Sequence, residues 1–166
     1  MDYHTLLKQL HNGEIHEVYF FYGEEKLLQD RALKALEKQI LPDGLEEFNK
    51  DVISGADTSP KQIAELAMNL PFMAERRLLI VQAPLGFLSI PKSDKAGQAS
   101  VQYLLDYLES PNPQCTLVFC AEAALGKTGA LNKKLQDIAV QFNDGIPIPA
   151  KRRCPPDGLQ RTHQEF

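Results

Sequence analysis

Apolar residues alternate along the chain between short continuous runs and longer stretches with helical spacing. Continuous runs are typical of buried strands, and they cover residues 17–22, 78–81 and 116–120, with weaker runs at 48–53 and 140–142. Apolar positions three and four residues apart predict helices over residues 3–10, 24–40, 60–70, 99–108 and 131–139. Because strands that alternate with helices require crossover connections, the pattern predicts an α/β fold. The sheet is expected to be mostly parallel, with helices on both faces.

Helix-capping residues, prolines and glycines refine two parts of this prediction. Ser59, Pro60 and Gln62 have the spacing of a capping box with proline in the first helical position, so a helix is expected to begin there. Residues 84–98 contain two prolines and two glycines and are predicted to form a loop.

The alternation ends near residue 142, which divides the chain into two parts. Residues 1–142 are predicted to form one α/β domain, and residues 143–166 a tail rich in proline and arginine. Residues 150–166 hold four basic and two acidic side chains and show no helical or strand period. We expect this tail to be disordered or foreign to the domain, and a basic partner-binding arm is the alternative.

Charge and cysteine content narrow the possible functions. Eighteen basic and 22 acidic side chains give a net charge of −4, which argues against duplex DNA as the main ligand of this segment. Cys115 and Cys120 are separated by an odd number of positions on one strand, so they should point to opposite faces and share no metal. No leader or membrane span is evident in the sequence, and we expect a soluble, cytoplasmic protein without membrane partners.

The loop after residue 120 has two interpretations, and the weaker one is the phosphate-binding loop of a small nucleotide hydrolase. Gly126, Lys127 and Thr128 resemble the second half of a phosphate-binding loop, but Ala121 stands where its first glycine is needed. The other interpretation is a turn with solvated lysines. The turn after the first strand carries Glu24 and Glu25, which would repel a triphosphate. No spacing identifies a catalytic set or metal ligands, so no catalytic residue, metal or cofactor is predicted.

A short apolar segment precedes the strand at residues 78–81. Its large side chains flank a proline and are followed by two arginines: Leu70, Pro71, Phe72 and Met73. The pattern fits a hydrophobic staple that packs within the fold, and it fits an exposed anchor for a partner's pocket equally well. The residues alone leave both open, and so does the broader alternative of a generic α/β interaction domain.

Several of these segments resemble, in order, the delta-subunit family of bacterial DNA polymerase III. The resemblance is carried by residues 18–25 (VYFFYGEE), 70–81 (LPFMAERRLLIV) and 107–113 (YLESPNP), and by the lysine-containing helix that follows. It extends over about residues 1–142. It implies a RecA-like AAA+ clamp-loader N-terminal domain that lacks a working phosphate loop.

The resemblance also implies a function by binding. Members of this family bind the ring-shaped sliding clamp and open one interface so that the ring can be loaded onto DNA. An apolar pair at the end of the helix before the third strand enters a pocket of the clamp. The matching positions here are Pro71 and Phe72, flanked by Leu70 and Met73.

Further partners follow from the same resemblance. They are the sliding clamp (beta), the gamma/tau and delta prime subunits of the loader, and primed DNA reached through the complex. The resemblance implies that family members are longer, with a small helical domain and a collar domain, and we expect both to be missing from this sequence. We therefore expect a subunit of a nucleotidyltransferase complex with no chemistry of its own, and its assembly into a loader is in doubt.

Overall fold

The computed structural model describes residues 1–143. Seven helices lie in this part of the chain: α1 (Tyr3–His11), α2 (Lys26–Ile40), α3 (Glu46–Asn49), α4 (Pro60–Ala67), α5 (Leu85–Leu88), α6 (Lys95–Glu109) and α7 (Ala130–Ile138). Five strands alternate with them: β1 (Val18–Tyr22), β2 (Lys50–Ser54), β3 (Arg77–Gln82), β4 (Cys115–Ala121) and β5 (Val140–Asn143). The predicted tail, apart from Asn143 in β5, lies outside the described residues.

The five strands form one sheet in the order β2-β3-β4-β1-β5, and every neighbouring pair is parallel. Parallel pairing places all strand starts at one edge of the sheet, here called the amino edge, and all strand ends at the opposite, carboxyl edge. The predicted α/β class with a parallel sheet is confirmed. None of the helices in residues 1–143 is long and apolar enough to cross a bilayer.

Helices cover both faces of the sheet because its three central strands, β3, β4 and β1, are apolar on both sides. In β1, Val18 and Phe20 join the core under α4, α6 and α7, whereas Tyr19 and Phe21 join the core under α1 and α2. Alternate residues of a strand face opposite sides, so one continuous apolar run serves two cores. Cys115 and Cys120 also divide between the two faces, as their odd spacing predicts.

Four features of the elements differ from the prediction. The helix expected at residue 99 begins at Lys95, where the carboxylate of Asp94 accepts a hydrogen bond from the N–H of Gly97 at 3.0 Å. The first turn of α6 is polar, and apolar spacing therefore gave no signal for it. Residues 85–88 of the predicted loop form the short helix α5.

The region before β2 also differs. Phe48 and Asn49 were assigned to a strand, but they end the short helix α3, and β2 begins at Lys50. The helix predicted over residues 60–70 ends at Ala67, so the 70–73 segment lies beyond it in a loop. The capping box at Ser59 and Gln62 is present as predicted.

Candidate functional site

The 70–73 segment lies in the loop that joins α4 to β3, and therefore at the amino edge of the sheet. Leu70, Phe72 and Met73 are 71%, 51% and 77% exposed, and Pro71 is half-buried. Burying large apolar side chains is the main favourable term in folding, so these three gain little from the fold itself. Their exposure excludes the staple interpretation for them.

Two more large apolar side chains extend this surface. Phe48, at the end of α3, is 62% exposed, and its ring centroid lies 5.3 Å from that of Phe72. Met68, the residue that caps α4, is exposed as well. We call the five side chains the apolar patch: Phe48, Met68, Leu70, Phe72 and Met73. Phe48 and Phe72 are in ring contact, and Met68 and Leu70 line one groove. Exposed apolar side chains that contact one another in this way mark interaction surfaces.

The backbone of Phe72 is held by a buried side chain from another element. The N–H of Phe72 donates to Oδ1 of Asn49 at 2.6 Å, and Nδ2 of Asn49 donates to the carbonyl of Phe72 at 2.9 Å. The same Nδ2 donates to the carbonyl of Leu45 at 3.1 Å, and Asn49 is fully buried. One carboxamide thus satisfies both backbone polar groups of Phe72 and fixes its position relative to α3.

Met73 has a backbone conformation that side chains disfavour. Its φ is +49°, in the left-handed region that glycine adopts most easily. The chain turns here immediately after the residue held by Asn49. The cost of this conformation is of order 1–2 kcal/mol for a residue with a Cβ atom, and surrounding contacts must offset it.

Arg77, the first residue of β3, secures the other end of the loop. Its guanidinium is largely buried and pairs with the carboxylate of Asp51 on β2. It also lies 3.5 Å from the carbonyl of Leu70, a long contact. The largely buried guanidinium of Arg77 therefore lies between the part-exposed carboxylate of Asp51 and the backbone of the loop at Leu70.

A shallow apolar groove lies beside the patch. Asn112, just before β4, donates to the carbonyl of Ala67 at 3.1 Å. This bond connects the end of α4 to the start of β4. Between them and α6 is a groove of about 430 Å³. It is lined by Met68, Leu70, Asn112 and four residues at the end of α6: Tyr103, Asp106, Tyr107 and Ser110.

The alternative nucleotide residues lie at the opposite edge of the sheet. Gly126, Lys127 and Thr128 are exposed in the loop between β4 and α7, and α7 begins only at Ala130 after its cap Gly129. A phosphate loop leads directly into a helix N-terminus, whereas this loop reaches its helix through a left-handed glycine with φ +93°. The structure does not bring these residues near the 70–73 segment.

Side chains of α7 and α2 donate hydrogen bonds to backbone carbonyls at this edge of the sheet. Gln136 donates to the carbonyl of Gly126 at 2.8 Å, and Asn132 donates to that of Thr128 at 2.7 Å. Between the ends of β1 and β4, the buried amide of Gln29 donates to the carbonyls of Gly23 and Ala121 at 2.9 and 3.2 Å. Ligands of open α/β folds usually bind in this crevice, and here a protein side chain bridges it.

Similarity to known proteins identifies the family. The family described as DNA polymerase III, delta subunit, matches residues 19–143 of this chain. The chain belongs to this family. The delta-family chain is 32% identical over 114 residues to the DNA polymerase III subunit delta of Bacillus subtilis (strain 168). The resemblance inferred from residues 18–25 and 70–81 is therefore confirmed.

Solved structures agree with this assignment. The Bacillus subtilis DNA clamp loader delta protein superposes with a TM-score of 0.72 at 27% identity, over 84% of this delta-family chain and 41% of that protein. A DNA polymerase III gamma subunit-related protein of Thermotoga maritima superposes with a TM-score of 0.55 at 13% identity, over 86% and 46% of the two chains. The second likeness shows the fold alone.

The delta-family chain is short beside its relatives. Its match covers 69% of this chain but 33% of the curated Bacillus subtilis relative. What the longer proteins do as wholes therefore requires residues that have no counterpart in the matched part of this chain.

Proposed function

We propose that this chain binds a bacterial sliding clamp through the 70–73 segment and helps to open the ring when the clamp is loaded onto DNA. Membership of the delta family supports the class of function. The observation that carries the proposal is the exposure of Phe72 and Met73 on a loop whose backbone is fixed by Asn49. An exposed aromatic on a rigid support is the usual form of an interface anchor.

The arrangement of the loop favours Phe72 and Met73 as the inserted pair. Pro71, which the resemblance matched to the first position of the pair, is half-buried, and Met73 is the most exposed large apolar residue of the loop. Leu70 and Met68 then contact the rim of the partner's pocket. On this view Pro71 shapes the turn and contributes little contact area of its own.

Ring opening by such a module is a matter of differential binding. A clamp interface opens only if the chain binds the open ring more tightly than the closed ring, because a ligand with equal affinity for both shifts nothing. No catalytic group is needed for this step. We propose that further contacts of a clamp loader are made by regions found in the longer relatives. These contacts are to the gamma/tau subunits, to the delta prime subunit and to primed DNA.

The first experiment measures binding of the full chain to a purified bacterial sliding clamp by surface plasmon resonance. Phe72→Ala should weaken binding by about 2–4 kcal/mol, because truncating a central aromatic anchor removes most of its buried contact area. The matched control is Leu27→Ala. Leu27 is also a large exposed apolar residue, but it lies in the first turn of α2, at the carboxyl edge.

The outcomes that support and contradict the proposal are distinct. Loss of binding in Phe72→Ala, with Leu27→Ala equal to wild type, supports clamp binding through the loop. A folded wild-type chain that leaves the clamp unbound at micromolar concentrations would remove the proposal, and circular dichroism of each variant establishes that it is folded.

A further inference from the structure

The loop does not form its exposed surface alone. The ring of Phe48 lies against that of Phe72, although the two residues are separated by more than 20 positions and belong to different connections. Phe48 is more exposed than Phe72, and it sits at the end of a helix of one turn. Core packing does not require a phenylalanine there, since its ring is mostly in solvent.

We propose that Phe48 is a second anchor for the sliding clamp and that Asn49 is the positioning residue that joins it to Phe72. The docking surface is then composite, formed by the end of α3 together with the 70–73 segment. This inference rests on the proposed function and names the part of the surface that the resemblance does not assign. The occupant is the same clamp, because the two rings form one continuous surface.

The hydrogen bonds of Asn49 carry the positioning role. Its carboxamide is fully buried and bonds both the N–H and the carbonyl of Phe72. Because Asn49 directly follows Phe48 in the chain, the same bonds set the distance between the two aromatic rings. A surface fixed before binding loses less conformational entropy when the partner arrives, which tightens binding without a new contact.

A short asparagine suits this position better than other polar residues. The backbone of Phe72 presents one donor and one acceptor, and only a carboxamide offers an acceptor and a donor in the same plane. Aspartate would face the carbonyls of Phe72 and Leu45 with a second acceptor, and alanine would leave both backbone groups of Phe72 without this partner.

The anchor role is tested by clamp binding of Phe48→Ala in the full chain. We expect the dissociation constant to rise at least about fivefold, as for other truncated anchors near the centre of an interface. Val52→Ala is the matched control, since Val52 is a half-exposed apolar residue on β2 just beyond the same junction. It should stay within about twofold of wild type, as surface substitutions away from an interface do.

The positioning role needs a readout that a loss of overall stability would not produce. In Asn49→Ala, amide hydrogen exchange at Phe72 should accelerate about tenfold or more, because its N–H loses the 2.6 Å bond to Asn49. Exchange at Ile80, inside β3, should be unchanged. Clamp affinity should fall in the same variant while Phe48 and Phe72 are both present.

Each outcome bears on a different statement. If wild type and Val52→Ala bind, Phe72→Ala does not, and Phe48→Ala binds like wild type, the second anchor is rejected and the proposed function stands. If Phe72 exchanges at the same rate in Asn49→Ala as in wild type, the positioning role is rejected. A folded wild type that does not bind the clamp rejects both proposals. If Asn49→Ala does not fold, Asn49→Leu, which keeps the approximate volume of the side chain and removes its hydrogen bonds, is measured in the same way.

Discussion

Met73 shows how one residue can serve binding at the expense of stability. Its side chain is almost wholly in solvent, so it contributes little to the core, and its backbone is in the left-handed region. An exposed apolar side chain on a left-handed backbone lowers the stability of the free chain, and such a residue is expected where another protein binds. On the proposed function, burial of the Met73 side chain against the clamp would supply the contact free energy that the free chain lacks.

We expect Met73→Gly to leave the free energy of unfolding unchanged or to raise it by up to about 1 kcal/mol. Relief of the left-handed strain outweighs the extra flexibility that glycine gives the unfolded chain. Met68→Gly is the control, because Met68 is similarly exposed but has φ −81°. Glycine there should lower stability by about 0.5–1 kcal/mol.

Urea unfolding of both variants measures this difference. Clamp binding of Met73→Gly should weaken even where its stability rises. A Met73→Gly variant less stable than Met68→Gly would show that the left-handed conformation stores no strain.

The residues of the candidate site were only partly predictable. Leu70, Phe72 and Met73 stand out in the sequence because large apolar residues beside a proline are conspicuous. Asn49 does not, because its role depends on hydrogen bonds to a residue 23 positions away, and no local spacing encodes such a contact. Phe48 was missed for a related reason, since an aromatic before β-branched residues resembles the start of a strand.

At the scale of elements, local signals were reliable where the deciding contacts are local. The capping box of α4 was predictable because Ser59 and Gln62 satisfy each other within one turn. The start of α6 was not, since the cap Asp94 lies in a polar stretch with no apolar period. The end of α4 was placed too late because apolar Leu70 continues the helical period of Ile63, Leu66 and Ala67 after the chain has left the helix.

The ion pair that connects Arg77 of β3 to Asp51 of β2 provides a second prediction. Asp51→Ala should lower the free energy of unfolding by about 1–3 kcal/mol, because the Arg77 guanidinium, 11% exposed, loses its carboxylate partner. Glu37→Ala removes the partner of Lys50 from a more exposed pair. It should cost no more than about 1 kcal/mol, as for ordinary surface pairs.

Thermal or urea unfolding of the two variants compares the pairs directly. Because Arg77 also lies near the carbonyl of Leu70, Asp51→Ala should loosen the loop and weaken clamp binding, whereas Glu37→Ala should not. Equal losses of stability in the two variants would contradict a special role for the pair of Arg77 and Asp51.

For the molecule as a whole, the two cores on either side of the sheet govern the response to alkali. Burial raises the pKa of the thiols of Cys115 and Cys120 from 9.0 to about 12, and that of Tyr107 from 10.0 to about 12. The folded chain keeps these protons at a pH where the unfolded chain has lost them. Stability should therefore be unaffected by these groups below pH 9 and should fall between about pH 9 and 12.

The expected slope is up to about 1.4 kcal/mol per pH unit for each group that titrates only in the unfolded chain. Urea unfolding between pH 7.5 and 10.5 measures it, and Cys120→Ala serves as the comparison, with the slope reduced by one proton. A stability that rises over this range, or a slope that Cys120→Ala leaves unchanged, would contradict the burial of that thiol.

The position of β3 inside the sheet gives the loop a mechanical property. β3 pairs on one side with β2 and on the other with β4, along almost its whole length. A pull on the loop, directed along the strand, would strain the hydrogen bonds on both sides together, in shear, whereas an edge strand can be peeled away one bond after another. On the proposed function, tension from a clamp that resists opening would pass from the loop to the whole sheet, and the loop would move little relative to the domain.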